Sequence, residues 1–450
     1  FFQAEDGIRA CLLSRGLGDV YKRQEALGPA FARIAAALAG ETPRLFPGVS
    51  QRRDVMDDEY ARLGVYDDAR WRVVDNATYE VAPTYPPRFA VPAELDDEAL
   101  EGEIKRRSKH RTPALTWRHP VSKTPLCRSA QPRAEHPKDR AFHVVAGAAG
   151  AAASAAPAAL GAASGGHKDR HALAVLGAIR RCGLVGASLA VVDARPYANA
   201  LANTLKGGGF EDAHDIPGGG TVYFANIPNI HAMRRSASRG RDDVREIRGG
   251  KTMNTVMLGR RQSLAKLRRA CEKNDGDFLE EVHGSRWLDN LRLVLAASTF
   301  VAKLLHVRKT PTLVHCSDGW DRTSQLASLA QLLLDPYYRT VAGFGALVEK
   351  DWCAFGYQFS KRRDAATDDH SPIFLQWLDC VWQALRQHPT RFEFNELFLL
   401  AVRDAVYAQW HSTFRGDCDA QRDADFVDCL LYTSDAADDT PCVDLGGRRI

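Results

Sequence analysis

The sequence predicts an α/β domain with a central, mostly parallel sheet flanked by helices. Two observations carry this: short apolar, β-branched runs of strand length, and helix-period segments lying between them. The first run is 188–192 (SLAVV), followed by Asp193-Ala194-Arg195-Pro196. The second is 221–227 (TVYFANI) and the third 310–315 (TPTLVH). Each has the length and the β-branched or aromatic content of a strand. Near 285–306, Leu288, Leu291, Leu295, Ala302 and Leu305 recur on one helical face. After the third run, TSQLASLAQLLL reads as a helix with Thr323 as its cap and Leu326, Leu329 and Leu333 as its buried stripe. Ser371-Pro372 opens another helix, with Ser as N-cap, Pro at the first position, and the stripe Phe374, Leu378, Val381 and Leu385. Asn395 caps a last helix running to about Trp410.

Composition narrows the function classes. The chain has 450 residues, and 60 Lys+Arg against 56 Asp+Glu leave a net charge of +4. So small an excess argues against a nucleic-acid binder. Hydrophobic residues are 45% and charged residues 26%, enough apolar material for a sizeable core. Ten cysteines without a C-x-x-C pair argue against a disulfide scaffold or a cysteine-rich zinc module, and fit a reducing compartment. No run approaches the ~18 apolar residues of a membrane span. The longest apolar stretch, 293–305, is broken by Lys303 and reads as a buried helix.

Residues 1–24 lack the basic-then-apolar order of a signal peptide. The strings FQAEDGIR…SRGLGDVYKRQ and CLLYTSDAADD (429–439) resemble translated adapter read-through more than protein. Residues 1–24 and 417–450 are therefore set aside as non-native or disordered, implying a natural chain cut short at both ends. Residues 25–54 carry no assignable pattern. The Ala/Gly-rich 146–166 reads as a flexible insertion, the alternative being a short surface helix. A second insertion, 234–272, is rich in Arg and Lys and reads as a solvated loop with a charged helix that also suits an anionic membrane.

The chemistry sits at 315–323. A Cys-x5-Arg spacing brings a thiolate and a guanidinium onto one phosphate-sized loop. Four cysteines satisfy it: Cys127 with Arg133, Cys316 with Arg322, Cys380 with Arg386, and Cys442 with Arg448. Cys380 falls inside an amphipathic helix, whose amides are already bonded. Cys127 is followed by RSAQPR, which has no Gly and loses a donor at Pro132. Cys442 leaves too few residues for a following helix. Cys316 alone is delivered by a strand, followed by the loop Ser317-Asp318-Gly319-Trp320-Asp321, and then, after Arg322, by the helix that Thr323 caps. Strand, loop and helix N-terminus make an anion cradle in which backbone N–H groups and Arg322 face an oxyanion. The same cradle favours the thiolate of Cys316, a nucleophile able to form a phosphocysteine. The leaving oxygen then needs a proton, and Asp321 and Asp318 are the carboxylates within the loop, with Asp321 preferred.

The nonapeptide HCSDGWDRT (315–323) resembles the signature of the myotubularin phosphoinositide 3-phosphatases. The resemblance extends to WRVVDNATYEVAPTYPPRFAVP (71–92), DARPYANALANTLKGGGFE (193–211), IPNIHAMR (227–234) and LLLDPYYRTVAGFGALVEKDWCAFGYQF (332–359). It continues through SPIFLQWLDCVWQ (371–383) and FEFNELFL (392–399). It implies a cysteine-phosphatase fold over 55–416, broken by the two insertions. The implied reaction is release of the 3-phosphate from phosphatidylinositol 3-phosphate, and from the 3,5-bisphosphate, with no metal or cofactor. It implies Cys316 as nucleophile, Arg322 as phosphate ligand and Asp321 as acid. Ser317, Asp318, Gly319, Trp320, Asn203, Asn229 and Ile230 become substrate contacts, with turn residues flanking strands as the alternative reading of the two Asn. Arg362 matches the second of two arginines that meet a distal phosphate; Gln358 stands at the first, and an amide does not replace a guanidinium there. Implied partners are a phosphoinositide headgroup, a peripheral membrane surface on the cytosolic side of endosomes, and pairing with the same or a related phosphatase. The basic segment 103–111 (EIKRRSKHR) reads as a solvated helix face that also suits a membrane. Two rival readings are a protein tyrosine or dual-specificity phosphatase using the same cradle, and a scaffold that binds phosphoinositide without hydrolysing it.

Overall fold

The computed structural model describes residues 55–133, 170–237, 285–364, 367–408 and 412–424. Helix α1 (Val55–Leu63) precedes strands β1 (Trp71–Asp75) and β2 (Arg88–Pro92), then helix α2 (Asp97–Arg106) and strands β3 (Ala114–Arg118) and β4 (Pro125–Ser129). Helix α3 (Arg170–Arg181), β5 (Leu189–Asp193), α4 (Tyr197–Thr204), β6 (Gly220–Phe224) and α5 (Ile230–Ala237) follow. After these come α6 (Trp287–His306), β7 (Thr312–His315), α7 (Arg322–Leu334) and α8 (Val341–Val348), which runs into a π-helical turn at Glu349–Ala354. Helices α9 (Phe359–Arg363), α10 (Ile373–Gln387) and α11 (Glu396–Ala408) complete the series.

The expected mostly parallel sheet is corrected to a mixed one. Its strand order is β1-β2-β3-β4-β7-β5-β6. β1 to β4 pair antiparallel in sequence; β4–β7, β7–β5 and β5–β6 are parallel. The antiparallel half escaped the sequence pattern for a physical reason. β3 and β4 are buried along their whole length, Arg118 and Arg128 included, so no alternation marks them. The three runs read from sequence are β5, β6 and β7, each shifted by one to three residues at an end.

The parallel half places the site. Ser129 of β4 and Asp193 of β5 both lie level with His315 of β7, and Phe224 of β6 lies level with Asp193. The segments leaving these four strands therefore gather at one carboxyl edge, the usual ligand edge of parallel sheets.

Helix α7 leaves that edge through the middle of the molecule. It is buried from Arg322 to Leu332, so the expected one-sided stripe does not hold. Its polar residues are bonded inside: Gln325 donates to Ile373 O at 3.0 Å, and Gln331 to Asp351 Oδ2 at 2.8 Å. Thr323 is not the cap; the helix begins at Arg322, with Asp321 in the N-cap position. In α10, Pro372 rather than Ser371 holds the N-cap position. Trp287 Nε1 donates to Asp379 Oδ2 at 2.7 Å, tying α6 to α10, and burial pushes Asp379 up to about 6.

The boundary at 416 is also corrected. Asp417 accepts from Ser360 N at 2.7 Å, Asp417 O accepts from Gln358 Nε2 at 3.2 Å, and Asp419 and Arg422 are buried. Packed chain therefore runs on to 424. The cysteines among the described residues are all free and buried. No helix among those residues is long and apolar enough to cross a membrane. Residues 1–24, 25–54, 146–166 and 425–450, with Cys442, lie outside the described residues, as does 234–272 beyond 237.

Candidate active site

The loop that follows β7 is built around Gly319. Its φ is +78°, and a Cβ there would sit 2.4 Å from Ser129 O. Only glycine fits both constraints. Gly319 N–H donates to Cys316 Sγ at 3.3 Å. On its other side, the Gly319 carbonyl accepts from Arg111 Nη2 at 3.1 Å and Arg128 Nη2 at 3.0 Å. The glycine whose N–H faces the sulfur is thus held at its own carbonyl, in the next peptide, by two buried guanidinium groups. Gly319→Ala is expected to cost about 1–3 kcal/mol in backbone strain alone. Turnover should fall with stability in urea titrations, and a fully active, undiminished variant would contradict this loop geometry.

Cys316, just past β7, is 2% exposed and belongs to the buried core, with its Sγ accepting the Gly319 N–H. Burial, with Arg128 nearby, lowers Arg111 to about 10, still charged at neutral pH. His315 Nδ1 lies 3.2 Å from Cys316 O, and its Nε2 lies 4.0 Å from Asp193 Oδ2. Burial lowers the pKa of His315, keeping its ring neutral.

Arg322 is the most loosely held of the buried arginines of this edge; Arg111, which also lacks a carboxylate, is held by Thr84, Gly319 O and Phe355 O. Arg107 pairs with Glu103 and Glu211, Arg128 with Asp351, Arg195 with Asp193, and Arg362 with Asp321. Arg322 is 6% exposed, and no carboxylate pairs with it among the described residues. Nη1 reaches Ile227 O at 3.3 Å and Nη2 reaches Ser317 Oγ at 3.4 Å, both long, and Nε has no acceptor. A buried guanidinium so loosely held is one that an oxyanion would satisfy.

The remaining expected residues divide. Asn203 belongs to the cluster: its Nδ2 donates to Ser317 Oγ at 3.2 Å. Asp318 accepts from Ser108 Oγ at 3.1 Å, which brings the 103–111 segment to the loop's edge. Trp320 is buried under the Arg111 guanidinium, 5.4 Å from its ring, and its Nε1 has no protein partner. Asn229 caps α5, its Oδ1 accepting from Ala232 N at 3.0 Å, which is a turn-former's task. Ile230 O accepts from Ser371 Oγ at 3.0 Å. Arg362 is not free for a distal phosphate in this state. Its Nε and Nη2 donate to Asp321 Oδ1 and Oδ2 at 2.8 and 2.9 Å, and Nη1 to Asp369 O at 3.2 Å. Gln358 is likewise turned to the backbone, donating to Gly356 O and Asp417 O.

Sequence reasoning missed the support beneath the loop: Arg111, Arg128, Gln131 and Arg195. Gln131 N donates to Ser317 O at 3.0 Å, and Arg195 donates to both Gln131 and Asp193. No local signal marks these residues.

The chain matches known proteins over most of its length. The family model described as "Myotubularin-like phosphatase domain" matches residues 48–423. Myotubularin of Xenopus laevis is 35% identical over 375 residues, covering 82% of this chain and 53% of the relative. Myotubularin of Rattus norvegicus is 35% identical over 405 residues, covering 87% and 58%. The phosphatidylinositol-3,5-bisphosphate 3-phosphatase MTMR2 of Bos taurus is 36% identical over 379 residues, covering 81% and 49%. The chain thus spans about half the length of the curated relatives it matches.

Proposed function

The chain belongs to the myotubularin-like phosphatase family, and from that premise we propose that it hydrolyses the 3-phosphate of phosphatidylinositol 3-phosphate through a phosphocysteine. The observation that carries the reading is Arg322, buried beside Cys316 at a helix start, with no carboxylate and an unpartnered N–H. The 3-phosphate takes the place of that missing partner, on Arg322 and the loop amides.

The reaction divides into two displacements. Cys316 Sγ attacks phosphorus, an S–P bond forms, and the bond from phosphorus to the inositol oxygen breaks. That oxygen takes a proton from Asp321. Water then attacks phosphorus, gives its proton to the Asp321 carboxylate, and releases inorganic phosphate and the thiolate. The bidentate grip of Arg362 orients Asp321 for both steps. A carboxylate accepting at both oxygens has no proton to give, so delivery in the first step requires one of the two contacts to loosen. Asp321→Asn is expected to lower lipid turnover about 10²–10⁴-fold. Initial-rate assays decide it, and near-normal rates would pass the acid's role to Asp318 or solvent.

The bovine MTMR2 relative is named for a bisphosphate. Here Arg362 is engaged by Asp321 and Gln358 by backbone carbonyls, which favours the monophosphate. Membrane lipid as substrate places the protein peripherally on the cytosolic face of endosomes, and self-association or pairing with a related phosphatase completes the reading. Phosphate release from phosphatidylinositol 3-phosphate, the 3,5-bisphosphate and a phosphotyrosyl peptide should fall in that order. Higher efficiency on the peptide overturns the assignment.

A further inference from the structure

Helix α4 buries Ala200 and Thr204 and exposes Asn199, yet it also turns large apolar groups to water. Its polar Thr204 is 1% exposed, and Asn203 turns inward to the loop after β7. Its outer side carries Tyr197, 40% exposed, Leu205 just past its end, 60% exposed, and the exposed Ala198 and Ala202. Tyr197 packs edge-on against Phe210 and Phe224, with ring centres 5.8 and 5.1 Å away, so it sits on a rigid aromatic base. Solvated helices place these residue types inside.

Cations surround this apolar face. Lys206 follows Leu205 and is exposed. Arg133 is exposed and bridges to Gly208, two residues beyond Lys206. Lys109 and His110 are exposed on the far side of the site, next to the Ser108 that holds Asp318. Both have left-handed backbones, φ +56° and +57°, a strained arrangement of the kind found at functional rims.

The location fixes the occupant. α4 leaves β5 at the same carboxyl edge as the loop holding Cys316, because Asp193 and His315 are level. A phosphoinositide keeps its acyl chains in the bilayer while its headgroup enters the site. Whatever lies around the site's mouth must therefore meet the bilayer surface. We infer that the outer face of α4, with Lys206, Arg133 and Lys109 around it, docks onto an anionic bilayer and sets Leu205 and Tyr197 into the interfacial layer. Apolar side chains supply insertion and the cations supply attraction to acidic lipid. The inference rests on the phosphoinositide reading above and adds the surface that delivers the site to its substrate.

Two substrates separate docking from chemistry. One is phosphatidylinositol 3-phosphate in phosphatidylcholine–phosphatidylserine vesicles; the other is its water-soluble dibutanoyl analogue. Leu205→Asp should lower turnover on vesicles about tenfold and leave the soluble substrate within about twofold of wild type. Lys206→Glu should also lose on vesicles, and more so at low salt, where charge attraction is strongest. Equal loss on both substrates, or no loss on vesicles, overturns the docking surface. If wild type hydrolyses neither substrate, the catalytic reading fails, and co-sedimentation with the same vesicles still decides docking. Leu205→Asp must then pellet less than wild type, and equal pelleting refutes the inference.

Discussion

Cys316→Ser should lower phosphate release on the order of 10⁴-fold or more, the scale seen when a covalent nucleophile is removed. Headgroup binding should survive. The reason lies in the division of labour around the loop. On the proposed reaction the sulfur supplies the attacking electron pair, whereas Arg322 and backbone amides such as the Gly319 N–H would hold the anion, with the Gly319 carbonyl bonded to Arg111 and Arg128. A serine oxygen is close in size and accepts from the same N–H. It is rarely ionised at neutral pH, and His315 Nδ1 contacts the Cys316 carbonyl rather than the side chain. Release assays on vesicles and calorimetric titration with the soluble headgroup read the two effects separately. Residual release above about one per cent of wild type would remove Cys316 from the role of nucleophile. Loss of binding together with release would mean the cradle itself depends on the sulfur. Tight binding by wild type with no release at all would instead favour the scaffold reading.

How much of this was legible in the sequence follows from range. The order of strand, loop and helix at 312–334 is local, and 315–323 gave the loop its residues and Gly319 its place. Local context also sorted the competing cysteines. Cys380 lies within α10, and Cys127 lies buried inside β4, flanked by β3 and β7 rather than at a loop. What stayed hidden was long-range. Arg128 reaches Gly319 across 191 positions and Arg111 across 208. The 103–111 segment reads as a solvated basic face, yet Arg107 and Arg111 are fully buried while Lys105, Lys109 and His110 face water. Antiparallel β3 and β4 were hidden because a strand buried on both faces loses its period, and buried arginines imitate surface composition. The Asp321–Arg362 pair was likewise unreadable: each residue had been assigned a separate partner on the substrate, and the fold gives them to each other.

Buried charge also sets the second large effect, which concerns stability. Lys350, in the π-helical turn, is fully buried. Its Nζ contacts Glu59 at 2.9 Å, Thr116 O at 3.0 Å, Gln331 Oε1 at 2.7 Å and the Tyr338 hydroxyl at 2.7 Å. Next to it, Asp351 accepts from Arg128, Thr116 and Gln331, and Arg128 in turn grips Gly319. The network therefore joins α1 to the floor of the active site. Lys350→Met keeps the volume but leaves Glu59 with Arg62 as its cation and strips Thr116 O and Gln331 of a donor. Breaking one partner of a buried pair costs about 3–5 kcal/mol. Arg62, on the surface side of Glu59, should keep the loss near the lower end. Acid gives the diagnostic. Burial opposes ionisation of Glu59, but Lys350 and Arg62 outweigh it and hold the carboxyl at about 2, below its ordinary 4.5. A carboxyl depressed on folding stabilises the native state above about pH 4.5, and that stability fades as pH falls toward 2. Without Lys350 the depression shrinks, so the gap between wild type and Lys350→Met in urea unfolding should be widest above pH 5 and narrow steadily below 4.5. A gap that stays constant down to pH 3 would show that the lysine acts by packing, with no charge linkage to Glu59.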